Sequence, residues 1–85
     1  MPEISRFYGI IITINYNDHL PPHFHARYGD DRAAIMIDGT VLAGSLPRRA
    51  LALVRAWASQ HRPELLKDWE LARAGQALDA IAPLD

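Results

Sequence analysis

The sequence contains no cysteine, which excludes a disulfide scaffold and any metal site built from thiolates. It also lacks a long hydrophobic run, because the longest one, around residues 10–12, is far shorter than the roughly 20 residues that cross a bilayer. The first residues, MPEISRFYG, have no basic segment followed by an apolar stretch, so they do not match a signal peptide. These absences predict a cytoplasmic protein without a membrane partner.

Neither sign of charge dominates, since the formal net charge is −1 and charged residues make up 22% of the chain. With 49% hydrophobic residues, the composition is that of a globular chain and not of a disordered one. The length predicts one domain over residues 1–85, with a modest free energy of unfolding, on the order of 5 kcal/mol. A homodimer or a complex with another protein would help so small a domain to cover apolar surface.

The first half of the chain is predicted to form an antiparallel β-meander of about four strands. Residues 8–16 alternate at the two-residue period of a strand, and residues 23–28 form a second strand after a break rich in Asn, Asp and Pro. A third strand over 32–37 turns at Asp38–Gly39 into a fourth over 40–44.

The second half of the chain predicts two helices. Pro47 and Pro63 each suit a first helical turn, and Gly75 is placed past the end of the second helix. The residues that recur at helical spacing, and are expected to face the core, are Ala50, Leu51, Val54, Trp57, Ala58 and His61, then Leu65, Leu66, Trp69 and Ala72. The fold class is therefore α+β, with both helices packed on one face of the sheet. The apolar tail over 78–84 is expected to dock on the body or on a partner.

Three of the four histidines lie in one short segment, residues 18–28. In a strand over 23–28, side chains alternate between the two faces, so Phe24, Ala26 and Tyr28 are expected to face the core. That alternation leaves two imidazoles and a guanidinium together on the opposite face, and a stiff Pro-Pro turn holds a third imidazole nearby. The four residues are His19, His23, His25 and Arg27.

This cluster permits three interpretations. One is a metal-independent, ribonuclease-like site, in which one imidazole is the base, another is the acid, and Arg27 stabilises the added negative charge. The second is a site for zinc or another transition metal, with His19, His23, His25 and Asp18 as candidate ligands. In the third, the histidines have a structural role and hydrogen-bond at the end of a strand.

A second candidate surface consists of the arginines of the first predicted helix. Three of them are seven residues apart and would lie on one face, with a fourth beside it. They are Arg48, Arg55 and Arg62, with Arg49 at the side. Guanidinium groups in this arrangement suit the phosphates of RNA or DNA, or an acidic partner protein. The alternative is an ordinary solvated face.

Three stretches of the chain resemble a small bacterial family, domain of unknown function 4160. They are ISRFYGI at 4–10, NDHLPPHFH at 17–25 and LPRRAL at 46–51, and the pattern from Trp69 to Leu84 is similar to the family as well. The most specific element is PPHFH at 21–25. Leu20 is a departure, because family members often have proline after the first histidine.

The resemblance implies the toxin component of a type II toxin–antitoxin pair, with the cognate antitoxin encoded by an adjacent gene. It implies no catalytic residues. The resulting expectation is a toxin that acts on RNA through the His/Arg cluster. The alternatives are a non-catalytic protein-binding module, which would use the arginines or the apolar tail, and a small histidine metal-binding domain.

Overall fold

The computed structural model describes residues 2–85, which form a five-stranded antiparallel sheet followed by two helices. The elements are β1 (Glu3–Phe7), β2 (Ile10–Thr13), β3 (His23–Tyr28), β4 (Asp31–Met36), β5 (Val41–Ser45), α1 (Arg48–Gln60) and α2 (Arg62–Arg73). The strands lie in the sheet in chain order, and each pairs antiparallel with the next. The predicted α+β meander with two C-terminal helices is confirmed.

The first predicted strand is a hairpin and not one continuous strand. Tyr8 and Gly9 turn the chain with φ angles of 49° and 79°, so β1 pairs with β2. The sequence hides this turn because tight hairpin turns favour Asn-Gly or Asp-Gly, and Tyr-Gly is not one of those signals. Ile10 and Ile12 are buried as expected, whereas Tyr8 is 59% exposed.

β3 has its predicted bounds, and β4 and β5 differ from theirs by about one residue. Tyr28 was expected in the core but is 41% exposed. It is the last residue of β3 and its ring lies beside Gly9, at the end of the sheet. Phe24 and Ala26 are buried, as the alternation predicts.

The helices begin near the two expected prolines, and Gly75 follows the end of α2 with a φ of 71°. His61, with φ −127° and ψ 27°, is non-helical and separates α1 from α2. Arg62 was expected to share a face of the first helix with Arg48 and Arg55. It instead begins α2, because His61 interrupts the helix.

Trp57 of α1 lies at the centre of the core and is fully buried. Its ring contacts Phe7 and Phe24, with centroids 5.4 Å and 5.8 Å away. In α2, the prediction that Leu66 faces the core is wrong, since it is 48% exposed. The buried residues of α2, at helical spacing, are Leu65, Asp68, Trp69 and Ala72. The stripe therefore includes the carboxyl group of Asp68 in place of the expected side chain of Leu66.

The C-terminal tail docks on the body of the chain. The Ile81 N–H donates to the Ile4 carbonyl at 2.7 Å, and Nε1–H of Trp57 donates to the Ala82 carbonyl at 2.8 Å. Ile81 is buried. These contacts explain why the apolar residues of the tail are tolerated outside a helix or strand.

The helices cover one face of the sheet and leave the other face open. Both helices pack on the face that carries Ile12, Phe24 and Ile35, which are fully buried. The opposite face, called the open face below, carries alternate residues such as His25 and Arg27, which are half-buried or exposed. Over residues 2–85, no helix has the length and the hydropathy needed to cross a membrane.

Candidate functional site

The site lies at the end of the sheet where β3 begins. Asp18 comes from the loop between β2 and β3, and His23 and His25 come from alternate positions of β3. Asn15 follows the end of β2, which pairs with β3 through Thr13 and His25. The antiparallel pairing of these strands therefore brings the loop carboxylate back over the two imidazoles.

One carboxylate oxygen contacts both imidazoles. Oδ2 of Asp18 is 3.0 Å from Nε2 of His23 and 3.0 Å from Nε2 of His25. One ligand atom from each of the three residues lies within 4.8 Å of the other two. We call Asp18, His23 and His25 the His-Asp centre.

The ring of His23 is held on three sides. Its Nδ1–H donates to the Pro21 carbonyl at 2.8 Å, because a carbonyl oxygen can only accept. The ring stacks at a tilt on Trp69, with centroids 5.3 Å apart, and meets His25 edge-on at 5.1 Å. Only 7% of the residue is exposed. The backbone hydrogen bond at Nδ1 directs Nε2 towards Asp18.

Asp18 is oriented by neutral donors as well as by the imidazoles. The backbone N–H of His19 donates to Oδ1 at 2.9 Å, and Nδ2 of Asn15 lies 3.4 Å from Oδ2. Partial burial on its own would raise the pKa of the Asp18 carboxyl. The hydrogen bonds from His25 and His19 and the charges of the two imidazoles outweigh that effect and lower its pKa. Asp18 is therefore a carboxylate at neutral pH.

Among the four predicted catalytic residues, the structure brings His23 and His25 together. The side chain of His19 is exposed and is not part of the three-residue group, although its backbone orients Asp18. Arg27 is exposed and lies two residues from His25 on the open face. Among the predicted metal ligands, Asp18, His23 and His25 converge, and His19 does not.

All four helix arginines are exposed. Arg48 and Arg49 are exposed in the first turn of α1. The Nε–H of Arg55 donates to the Gly39 carbonyl at 3.0 Å, which ties this side chain to the β4–β5 turn. The guanidinium of Arg62 is close enough to Asp38 to help lower the pKa of that carboxyl, after the hydrogen bonds from Thr40.

Two residues of this region were not singled out from the sequence. Asn15 touches both Asp18 and His25, and its Nδ2 is 3.2 Å from Nε2 of the histidine. Arg32 is the Cα partner of Arg27 across β3 and β4. The only sequence signal for Arg32 was the short turn at Gly29–Asp30, which fixes the register and places these two residues opposite each other.

The His-Asp centre is accessible from the open face. The side chain of His25 is 31% exposed, that of Asp18 is 19% exposed, and that of His23 is 8% exposed. A shallow groove of about 690 Å³ runs from His25 along the open face, over small residues such as Ala34 and Ala43. A small ligand or a water molecule can therefore reach the centre.

Comparison with known families gives one match. Residues 9–70 match the family described as Domain of unknown function (DUF4160). The matched region contains the whole His-Asp centre, β2 to β5, α1 and most of α2, and it excludes β1 and the docked tail. Neither the curated proteins nor the solved structures contain a match to this chain.

Proposed function

This chain belongs to the DUF4160 family of domains of unknown function, and from its site we propose that it is a metal-binding domain. Asp18, His23 and His25 hold one divalent transition-metal ion, with Zn²⁺ as the first candidate. The observation that carries the proposal is the convergence of two Nε2 atoms on one carboxylate oxygen, each at 3.0 Å.

The separations suit a common metal. Zinc binds imidazole nitrogen and carboxylate oxygen at about 2.0–2.2 Å, so neighbouring ligands of a tetrahedral site lie about 3.3 Å apart. Two of the three separations in the His-Asp centre are close to that spacing. A set of two imidazoles and one carboxylate, without thiolates, is typical of zinc and of other first-row metals, including non-haem iron.

The second hydrogen bond of His23 supports the same proposal. Histidine ligands of metals commonly donate the other ring N–H to a backbone carbonyl or a carboxylate, which fixes the tautomer that presents a lone pair to the metal. His23 has this arrangement, with Nδ1–H on the Pro21 carbonyl and Nε2 at the centre. A histidine with only a packing role does not need its Nε2 placed against a carboxylate and a second imidazole.

Three protein ligands with an exposed side suit a catalytic centre better than a structural one. Structural zinc sites have four protein ligands, whereas catalytic sites have three and keep one position for water. When bound, zinc lowers the pKa of that water to about 7 and so supplies a hydroxide nucleophile at neutral pH. The partly exposed His25 leaves this position accessible from the groove.

The test is a zinc titration followed by calorimetry, with tag-free protein that has been stripped with EDTA and dialysed. We expect one ion per chain. Asp18→Asn or His25→Ala should weaken binding by at least about 100-fold, because each removes a ligand. His61→Ala is the matched control, since His61 also contacts a carboxylate, Glu64 at 2.8 Å, away from the centre.

His19→Ala should bind zinc as the unsubstituted protein does, because the ring of His19 lies outside the centre and its backbone N–H is retained. Circular dichroism of each variant checks that the fold is intact. Absence of stoichiometric binding by the unsubstituted protein would contradict the proposal. An equal loss in His61→Ala and His25→Ala would show that the binding does not depend on the His-Asp centre.

We propose as a second candidate that the chain is the toxin component of a type II toxin–antitoxin pair and acts on RNA. The observation that favours it is the position of Arg27 beside His25 on the open face, where an imidazole and a guanidinium can meet one phosphodiester. The partner would be the cognate antitoxin from an adjacent gene. This function is compatible with a bound metal or with acid–base chemistry by the imidazoles alone.

Growth of bacteria that express the gene tests this second candidate. We expect arrest when this gene is induced alone and recovery when the adjacent gene is expressed with it. His25→Ala should abolish the arrest, and His61→Ala should retain it. Normal growth, with the accumulated protein verified by immunoblot, would count against a toxin and leave the metal proposal untouched.

A further inference from the structure

The open face carries a row of four side chains across β1 to β4, and three of the four are arginines. The backbone register pairs Arg6 with Ile11, Ile11 with Arg27, and Arg27 with Arg32. Residues that are paired across neighbouring strands point to the same face, so these four side chains stand side by side. Three of them are arginines, and all four line the groove on the open face.

Arg27 and Arg32 are the last two members of this row and face each other directly. Directly opposite like charges destabilise a sheet, and their Cα atoms are only about 5 Å apart. Over residues 2–85, neither guanidinium makes a salt bridge to a carboxylate, whereas Arg6 is paired with Glu3 at 2.7 Å. An anion bound between Arg27 and Arg32 would relieve their repulsion.

The next row along the strands contains His25 of the His-Asp centre. Thr13, His25 and Ala34 are paired across β2, β3 and β4, so His25 stands two residues from Arg27 on the same face. Two residues of a strand span about 6.6 Å. That distance is close to one nucleotide step of an extended single strand, so one phosphate at the arginine pair places the next at His25.

The shape of the groove suits an extended strand lying on the sheet. Ala34, Ala43 and Gly44 line its β4–β5 side, and their small side chains leave room above the backbone. An extended peptide commonly pairs with a sheet edge through its backbone. The groove lies instead on the face of the sheet, where only side chains are available, and the planar forks of two arginines match phosphate oxygens.

We propose that the open face binds single-stranded RNA, with Arg27 and Arg32 as a phosphate clamp that directs the neighbouring phosphodiester to His25. The inference extends the proposed function, because it names a ligand for the groove beside the centre. It does not require a bound metal, and the binding test is made in EDTA so that it is independent of the zinc titration.

The test measures fluorescence anisotropy of a labelled single-stranded RNA of about 12 nucleotides at about 50 mM salt. We expect Arg27→Gln and Arg32→Gln each to weaken binding by about tenfold, as expected for the loss of one charge-assisted hydrogen bond. Each should also reduce the slope of log K against log salt by about 1. Arg48→Gln and Arg73→Gln are matched controls, since both arginines are exposed but lie on helices.

The melting temperature of each variant distinguishes a direct loss of RNA binding from a loss of the folded structure. Removal of one charge from a directly opposed pair should leave the melting temperature unchanged or raise it. Arg32→Glu provides a second variant, because a glutamate opposite Arg27 replaces repulsion with an ion pair. It should stabilise the fold and abolish RNA binding together, which a general loss of structure would not do.

Three results would overturn the inference. One is that the unsubstituted protein does not bind RNA at low salt. Another is that the helix controls weaken binding as much as the open-face variants, which would assign RNA to the helix arginines. The third is that polyglutamate of equal charge competes as well as unlabelled RNA, which would show that the arginine pair accepts acidic peptides and does not select phosphodiesters.

Discussion

At the scale of single residues, Asp68 is the carboxyl that the fold buries most deeply. It is 1% exposed on the core face of α2, and its Oδ1 accepts the backbone N–H of Asp79 at 2.9 Å. Its Oδ2 is buried without a hydrogen-bond partner among the described residues. Burial raises the pKa of Asp68 above its ordinary value of 3.8, since removal from water penalises the charged form more than the hydrogen bond compensates.

This raised pKa predicts a pH dependence of stability with a definite sign. Above pH 3.8 the unfolded chain loses the Asp68 proton while the folded chain retains it, so the contribution of Asp68 to the free energy of unfolding falls as pH rises. The fall ends once pH exceeds the folded pKa. We therefore expect Asp68→Asn to gain stability relative to the unsubstituted protein as pH increases from about 3 to 7.

The measurement is urea denaturation of both proteins across that pH range. The difference between them removes the contributions of carboxyls whose pKa is lowered, such as those of Asp18 and Asp38, which act in the opposite direction. Asp38→Asn is the control, because the lowered pKa of the Asp38 carboxyl predicts that this variant loses stability relative to the unsubstituted protein over the same pH range. A flat difference for Asp68→Asn would show that this carboxyl is not penalised by burial.

At this scale the sequence predicted the important imidazoles but not all of their partners. The alternation of β3 placed His23 and His25 on one side, and the short loop placed Asp18 among the candidate ligands. His19 could not be separated from them, because the loop conformation decides where a ring points. Asn15 is ten residues from His25 in the chain, so only the strand pairing reveals their contact.

At the scale of elements, β5 depends on a glycine at a close approach between strands. Gly44 has a φ of +74°, and a Cβ at this position would collide with the backbone carbonyl oxygen of Arg32. The register of the β4–β5 pair also shifts between Ala34 and Ile35. The glycine therefore allows β5 to lie against β4 beside the groove.

Gly44→Ala should destabilise the fold by about 3 kcal/mol or more, since it combines a left-handed backbone with a steric clash. Gly29→Ala is the matched control, because Gly29 has a φ of +60° but no atom within 4 Å of the added Cβ. It should cost only about 1 kcal/mol. Chemical denaturation measures both, and equal costs would show that the approach of Gly44 to Arg32 does not constrain β5.

Two elements were not predicted correctly from the sequence, and each error has a physical reason. A hairpin at Tyr8–Gly9 keeps apolar residues on both sides of its turn, so alternation alone does not reveal it. In α2 the apolar Leu66 and the polar Asp68 are exchanged relative to expectation, because the docked tail supplies Asp68 with a backbone N–H. Such partners lie outside the element and cannot be inferred from its own periodicity.

At the scale of the whole molecule, one face of the sheet packs in the core and the opposite face is open for the proposed functions. The helices and the docked tail cover one face and form the core around Trp57. The other face carries His25 of the His-Asp centre at one end and the arginine row beside it. The sequence predicted this division through Phe24 and Ala26 on one side and His25 and Arg27 on the other.

The fold class could be predicted because hydrophobic periodicity and turn residues are local signals. The functional assignment requires the site itself, because one fold can support many activities. Two features of the site depend on conformations that periodicity does not show. The loop before β3 brings Asp18 to both imidazoles, and the β3–β4 register pairs Arg27 with Arg32.

The central claim is that Asp18, His23 and His25 bind one metal ion together. Anomalous diffraction from crystals of the zinc-loaded protein, recorded on both sides of the zinc absorption edge, tests it most directly. We predict one peak per chain at about 2.0–2.2 Å from Nε2 of His23, Nε2 of His25 and a carboxylate oxygen of Asp18. A fully loaded crystal with its peak elsewhere, or with no peak at the centre, would contradict the account.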